Sequence, residues 1–414
     1  MYGHGSQDEL YDDVEGRFRT CDKVLYPDPP AGVPVVNTTR VAYRASTRTQ
    51  YRKLLCVIDT RYFSARRPYV VERLPTTYCS ELIFYAAYVN AAGNNKVHLK
   101  HGHIDVAFVQ QLKRIKQMRK HRGDRLRFHL TLGGSHNDSP NFVEMLEKHE
   151  LRDKVVTELF NVSAIFDGVN IHWDRPGGYC DKEFTPAYFR AFLEALYLKR
   201  MSLILTVPPV LELVRKFWLI SLTRYTDYVI VTTHTLRRKG LLDCSGRREF
   251  ATASYLAIRD HVFQETANPF QAAKVIYSIA LGADVFRATL PLSSPRLLDA
   301  GTPSSVFDGP TVQTNKTSYD HVCRMPKGVF DGDSECAYAI RQQTTGSTEL
   351  ALFAGPEELV TRMRKSYYSK MGDTPVAVYD LFLDDFGGNC VYAGGPTTRD
   401  SPLVAAIAET GVEP

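Results

Sequence analysis

No stretch of the sequence carries about 18 consecutive apolar residues, and the best run, Met201 to Leu211, is too short to span a bilayer. That excludes a membrane-spanning helix. The opening residues, MYGHGSQDELYDDVEG, are acidic and polar and lack the apolar stretch of a secretory signal, so the chain is either intracellular or follows a removed leader. No glycine recurs at every third position, which excludes a collagen-like helix. None of the eight cysteines forms a C-x-x-C pair, so neither a zinc ribbon nor a thioredoxin-type redox site is indicated. Charge of one sign is scarce as well. An excess of 51 basic over 46 acidic residues, a net +5, is too small to imply a nucleic-acid partner.

What remains is ordinary globular composition, with 44% hydrophobic and 23% charged residues in 414. The even number of cysteines allows four bridges but also fits free buried thiols. Together with glycosylation sequons at Asn37, Asn137, Asn161 and Asn315, the cysteines point towards an oxidising, extracellular or secretory compartment, against the reading of the N-terminus. Residues 1–50 read as an irregular extension with a Pro/Gly/Val stretch. From residue 51 to 414, short apolar runs alternate with helical patterns, which predicts strand–helix units around a parallel sheet. The runs are Leu54–Ile58, Leu82–Val89, Arg127–Leu132, Phe166–Ile171, Leu203–Val207, Tyr228–Thr232, Val285–Leu290 and Val376–Leu381. Eight such units fit a (β/α)8 (TIM) barrel, with a doubly wound open sheet as the alternative.

Helix starts are legible between the runs. Thr185–Pro186 precedes an apolar face of Phe189, Phe192, Leu193 and Leu196, and Asn268–Pro269 precedes Ala272, Val275, Ile276 and Ile279. Gly355–Pro356 opens a third helix, with Glu357 and Glu358 in the first turn. The rhythm lapses between about residues 292 and 348, which predicts an insertion between the seventh and eighth strands. The basic stretch Lys113 to Arg122 has helical spacing and reads as a solvated helix face.

In such a barrel, function sits at the carboxyl ends of the strands. The fourth run ends in Ala-Ile-Phe-Asp-Gly-Val-Asn-Ile-His-Trp-Asp-Arg-Pro, residues 164–176. This stretch resembles the F-D-G-x-D-x-D-W-E-x-P signature of family-18 glycoside hydrolases, the chitinases and chitinase-like lectins. Asp167, Gly168, Trp173 and Pro176 match, whereas Asn170, His172 and Asp174 stand where that family has Asp, Asp and the catalytic Glu. Leu130–Gly134 is similar to the third-strand S-x-G-G. Tyr277–Asp284 is similar to the helix before strand seven, Ser318–Cys323 to S-Y-x-E-x-C, and Val376–Phe386 to the last strand with its D-D-F tail. The likeness runs in order from about Lys53 to the C-terminus.

The resemblance implies a substrate-assisted mechanism, in which the substrate's N-acetyl group is the nucleophile and the enzyme supplies a glutamic acid. Asp174 is one methylene short of that acid, and proton transfer tolerates little misplacement. His172 cannot supply the anion that stabilises an oxazolinium ion, and Asn170 removes a second carboxylate. The family's sixth-strand M-x-Y-D becomes Thr232-Thr-His-Thr235, its barrel-floor tryptophan becomes Tyr379, and Ser293-Ser-Pro295 replaces Y-G-R. The degenerate motif Asp167, Asn170, His172 and Asp174 therefore predicts a catalytically inactive chitinase-like protein. The alternative is a divergent active glycosidase using Asp174 as acid.

The expected ligand-binding residues are Tyr379, Trp173, Asp167, Asp174 and His234, with chitin or another N-acetylglucosamine glycan as ligand, or else a protein partner on the same scaffold. Asp167 and Trp173 are expected to support the floor mainly by packing and hydrogen bonding. The resemblance also implies disulfides Cys56–Cys79 and Cys323–Cys390, and a Cys180–Cys244 bridge is a further option. No spacing supports a metal site formed by His172, His234 and Asp174. No metal and no cofactor is expected.

Overall fold

The computed structural model describes residues 52–59, 73–89, 97–99, 103–122, 126–134, 138–161, 165–173, 186–217, 219–236, 244–288, 315–325, 327–330, 333–342, 348–364, 374–390 and 401–410. The N-terminal 50 residues, Asp174, Cys180 and Ser293–Pro295 lie outside this set, as does the side chain of Cys244.

Among the described residues, fourteen strands follow one another along the chain. They are β1 (Leu54–Asp59), β2 (Cys79–Val89), β3 (Val97–Leu99), β4 (Arg127–Gly133), β5 (Gly168–His172), β6 (Ser202–Val207), β7 (Tyr228–Val231), β8 (Val275–Ala280), β9 (Ala283–Ala288), β10 (Asn315–Thr317), β11 (Lys327–Phe330), β12 (Asp333–Gln342), β13 (Thr348–Phe353) and β14 (Val376–Tyr379). Eight of them pair in parallel in the cyclic order β1-β2-β4-β5-β6-β7-β8-β14, and β14 returns to β1 to close a barrel. β3 adds to β2 as an antiparallel edge. Helices cover the outside, as expected for strands buried on both faces. The chain is a (β/α)8 barrel.

Two apolar layers hold it together. Inside the barrel, Leu55, Val57, Ile83, Ile204, Ile230, Ile276, Ala377 and Tyr379 meet. Between the strands and the helices lies a larger core, which includes Phe189, Phe192, Leu193 and Leu196 from the helix Pro186–Leu198 that the Thr185–Pro186 signal predicts. Seven of the eight residues of the last helix, Pro402–Glu409, are buried, and its Ala408 carbonyl accepts the Arg52 N–H at 2.8 Å.

The seventh barrel strand differs from expectation. It is Val275–Ala280, not Val285–Leu290. Asn268 does cap a helix, accepting from the Phe270 N–H at 2.9 Å, but that helix ends at Ala272. The residues predicted to continue it, Val275, Ile276 and Ile279, instead form a strand, as does most of Tyr277–Asp284. The β-branched pair Val275–Ile276 is buried on both faces there, which a strand between two neighbours satisfies. Gly282 then turns the chain at φ +91, a left-handed conformation suited to glycine. The next strand, β9, belongs to a separate five-stranded antiparallel sheet of order β10-β9-β13-β12-β11. This sheet lies between the seventh and eighth barrel strands in the sequence, its strands running from Ala283 to Phe353.

Both expected disulfides form, Cys56–Cys79 joining β1 to β2 and Cys323–Cys390 joining the end of the short helix Tyr319–Val322 to the segment after β14. That segment is organised by two buried carboxylates. Asp384 accepts from the backbone N–H groups of Leu403 and Val404, at 3.1 and 3.0 Å, and so caps the last helix. Asp385 accepts from Asn389 and Cys390, at 2.8 and 2.7 Å. Burial pushes the Asp384 carboxyl up to about 7, against its backbone donors.

Candidate functional site

Side chains alternate along β5: Val169 and Ile171 face the helix layer, while Gly168, Asn170 and His172 face the barrel interior. Neighbouring strands supply the partners. The Asn170 Nδ2 donates to Thr131 Oγ1 at 3.1 Å, and its Oδ1 accepts from Thr206 Oγ1 at 2.8 Å. Both functions of the amide are thus used within a buried three-strand rung. A neutral side chain suits this place, because the rung supplies no cation to balance a charge.

One step nearer the mouth, His172 is buried against Tyr85 of β2, with ring centroids 6.3 Å apart in an edge-on arrangement. Tyr85 donates its hydroxyl proton to the Gly134 carbonyl. Gly134 has φ +82, and a Cβ there would collide with the Tyr85 ring and with His172 Nδ1. The glycine pair at the end of β4 therefore sets how closely these two rings approach.

Across the mouth, His234 lies in the single turn Thr233–Thr235 that follows β7. Its ring stacks on Tyr379 at the end of β14, with centroids 4.0 Å apart and planes 27° apart. Ser278 of β8 holds the imidazole: its Oγ is 2.8 Å from His234 Nδ1 and donates its own proton to the Val231 carbonyl at 2.8 Å. A serine has one proton, so the His234 contact has Nδ1–H as donor. Of the sequence-predicted residues, the structure brings His172 and Asn170 together on β5 and stacks His234 against Tyr379.

Asp167 and Trp173 do not face the cleft. Asp167 precedes β5, at the opposite end of the barrel from His172. There it forms an ion pair with Lys116 at 2.8 Å and accepts from the Phe128 N–H at 2.9 Å. Lys116, read from the sequence as part of a solvated face, is thus turned inward. Trp173 is 1% exposed and packs among Phe142, Phe189 and Phe217 in the helix layer. Both odd-numbered positions fall on the outer side of the β5 alternation. Tyr85, Thr131, Thr206 and Ser278 are site residues that sequence reasoning missed. Inward alternation on β2, β4 and β6 is the signal that marks the first three.

The amino end of the barrel interior carries a separate charged cluster. The buried Glu81 carboxylate meets Arg127 Nε at 3.0 Å and His129 Nε2 at 2.8 Å. Burial alone would push the Glu81 carboxyl up, but the His129 and Arg127 hydrogen bonds outweigh it and hold it below the usual glutamate value. Among the described residues, no three His, Cys, Asp or Glu side chains gather as a metal site would require.

The family model for glycosyl hydrolases family 18 matches residues 57–363. No curated protein matches the chain in sequence. Among solved structures, the chain is similar to a Group IV chitinase of Ostrinia furnacalis in complex with allosamidin, at 17% identity and TM-score 0.66, covering 86% of this chain and 97% of that one. It is similar to human YKL-39, described as a pseudo-chitinase with retained chitooligosaccharide binding properties, at 17% identity and TM-score 0.63 over 86% and 98%. A chitinase-like agglutinin of Robinia pseudoacacia matches at 12% identity and TM-score 0.61 over 86% and 99%.

Proposed function

Because this chain belongs to glycosyl hydrolases family 18, we propose that it is a non-hydrolysing member that binds N-acetylglucosamine-containing glycans at the mouth of its barrel. The observation that carries the reading is the Thr131–Asn170–Thr206 rung. Hydrolysis assisted by the substrate's acetamido group needs carboxylates that orient it and balance its developing charge. At positions 170 and 172 the chain has an amide hydrogen-bonded through both its nitrogen and its oxygen, and an imidazole. Asp174, which stands at the position of the family's catalytic glutamate, is one methylene shorter than it.

The mouth retains two aromatic rings of the kind that stacks on a sugar face, Tyr85 and, beneath His234, Tyr379. YKL-39 and the Robinia agglutinin support the reading by analogy, since a chitinase-type barrel serves binding in each of those proteins by its own description. Two disulfides favour an extracellular or secretory setting. Among the described residues, no helix is long and apolar enough to cross a membrane. The test combines calorimetric titration with chitotetraose and a fluorogenic chitotriose assay. Binding with turnover no greater than that of heat-killed protein is expected. Turnover well above that control would overturn the reading in favour of an active glycosidase.

A further inference from the structure

Tyr379 closes the apolar interior of the barrel from above, yet only 8% of its surface is exposed. A sugar cannot stack on a ring so covered. One side of the ring packs on the barrel interior, and the chain's own His234 imidazole lies over it, parallel to within 27° with centroids 4.0 Å apart. That separation is close to van der Waals contact between two flat rings, the distance at which the C–H face of a pyranose would itself lie.

His234 is also placed so that it can leave. It sits in a single 3-10 turn rather than in a strand, and it is half-buried where Tyr379 is buried. The turn itself is anchored without the imidazole. Thr233 donates to the Ser278 carbonyl at 2.8 Å, and Thr235 donates its hydroxyl proton to the Thr232 carbonyl at 2.6 Å. The ring is steered onto Tyr379 by the Nδ1–H donor to Ser278. Ser278 thus holds both the turn and the ring, its Oγ also accepting the His234 backbone N–H at 3.3 Å, but the contacts that hold the turn do not use the imidazole, so rotation about the His234 side-chain bonds need not unfold it.

We propose that His234 is an intrachain occupant of the floor subsite: its imidazole covers Tyr379, and a sugar gains that ring face only when His234 rotates away. The inference rests on the glycan-binding reading and adds a gate to it. The closed arrangement lowers apparent affinity in proportion to the fraction of molecules with the gate open.

Chitotetraose binding is measured calorimetrically for the parent and for His234→Ala, with proton NMR of the His234 Cε1–H as a second readout that needs no variant. A gate open in about one molecule in ten predicts roughly tenfold tighter binding by His234→Ala. The Cε1–H resonance should be shifted upfield by the Tyr379 ring and should move back when chitotetraose is added. If the parent binds measurably and His234→Ala binds no more tightly, the gate is wrong and the glycan reading stands. If His234→Ala binds and the parent does not, the gate is upheld and glycan binding by the native chain is overturned. If neither binds at millimolar sugar, both are overturned. A Cε1–H resonance at its ordinary position, with or without sugar, refutes the stack directly.

Discussion

The Lys316 ammonium lies 2.6 Å from the Asp380 carboxylate, across 64 residues of chain, and ties the five-stranded sheet to the residue that follows Tyr379. Asp380 has φ 58, a left-handed conformation that aspartate tolerates better than most residues. The ion pair and the turn together fix how Tyr379 is presented at the mouth. Lys316→Met should cost about 2 kcal/mol, because it leaves a buried carboxylate unpaired. Adding Asp380→Asn to that variant should recover most of the loss. Urea unfolding of the single and double variants checks this, and a double variant less stable than Lys316→Met would show that the charge pair is not the reason.

The Asn170 rung predicts that restoring the family's carboxylate alone is harmful. Asn170→Asp places a charge between Thr131 and Thr206 with no cation to meet it, and should cost about 1–3 kcal/mol at neutral pH. The cost should shrink in acid, where the new carboxyl is neutral. Thermal unfolding at pH 7 and pH 4 separates this from a steric effect, which would not change with pH.

Asp174→Glu by itself should not yield a hydrolase, since His172, Asn170 and His234 still stand where carboxylates and a tyrosine hydroxyl are needed. The fluorogenic chitotriose assay is the check. Substantial turnover from that one change would mean that the other replacements matter little.

Asp384 gives a pH dependence with a definite sign. Its carboxyl is pushed up to about 7 by burial, above its value in the unfolded chain. The folded state therefore binds more protons than the unfolded state between about pH 4 and pH 7. Its contribution to stability is fully present in acid and is lost as pH rises through that window. Asp384→Asn should unfold more easily overall, having lost an acceptor for the Val404 or Leu403 N–H, and its stability should vary less between pH 4 and pH 7. A variant whose pH profile parallels the parent's would locate the titration elsewhere.

Sequence periodicity was enough to place seven of the eight barrel strands, because their apolar runs are bounded by clear helix signals such as Thr185–Pro186. The remaining strand was hidden because Val275, Ile276 and Ile279 satisfy a helical spacing as well as an extended one, and Asn268–Pro269 announces a helix that lasts only to Ala272. At the site, the motif positions 170 and 172 were legible by resemblance. The outward direction of Asp167 and Trp173 was not, because a motif records order along the chain and not the side of the strand. The His234–Tyr379 stack could not be read at all. It depends on Ser278, which sits on the strand that was misassigned.

The closure of β1 on both sides has a consequence for the order of folding. Leu54 pairs with Cys79 on one side and with Val376 on the other, and Arg52 meets Ala408. As the chain leaves the ribosome, the first strand can pair early with the second, and the Cys56–Cys79 bridge is available as soon as both have emerged. Its other edge must wait for almost three hundred further residues, so the growing barrel stays an open sheet with two unpaired edges until β14 emerges. The Cys323–Cys390 bridge and the last helix can form only at that late stage. The ring is therefore closed by β14, and it cannot exist before that strand has emerged and paired with both β8 and β1.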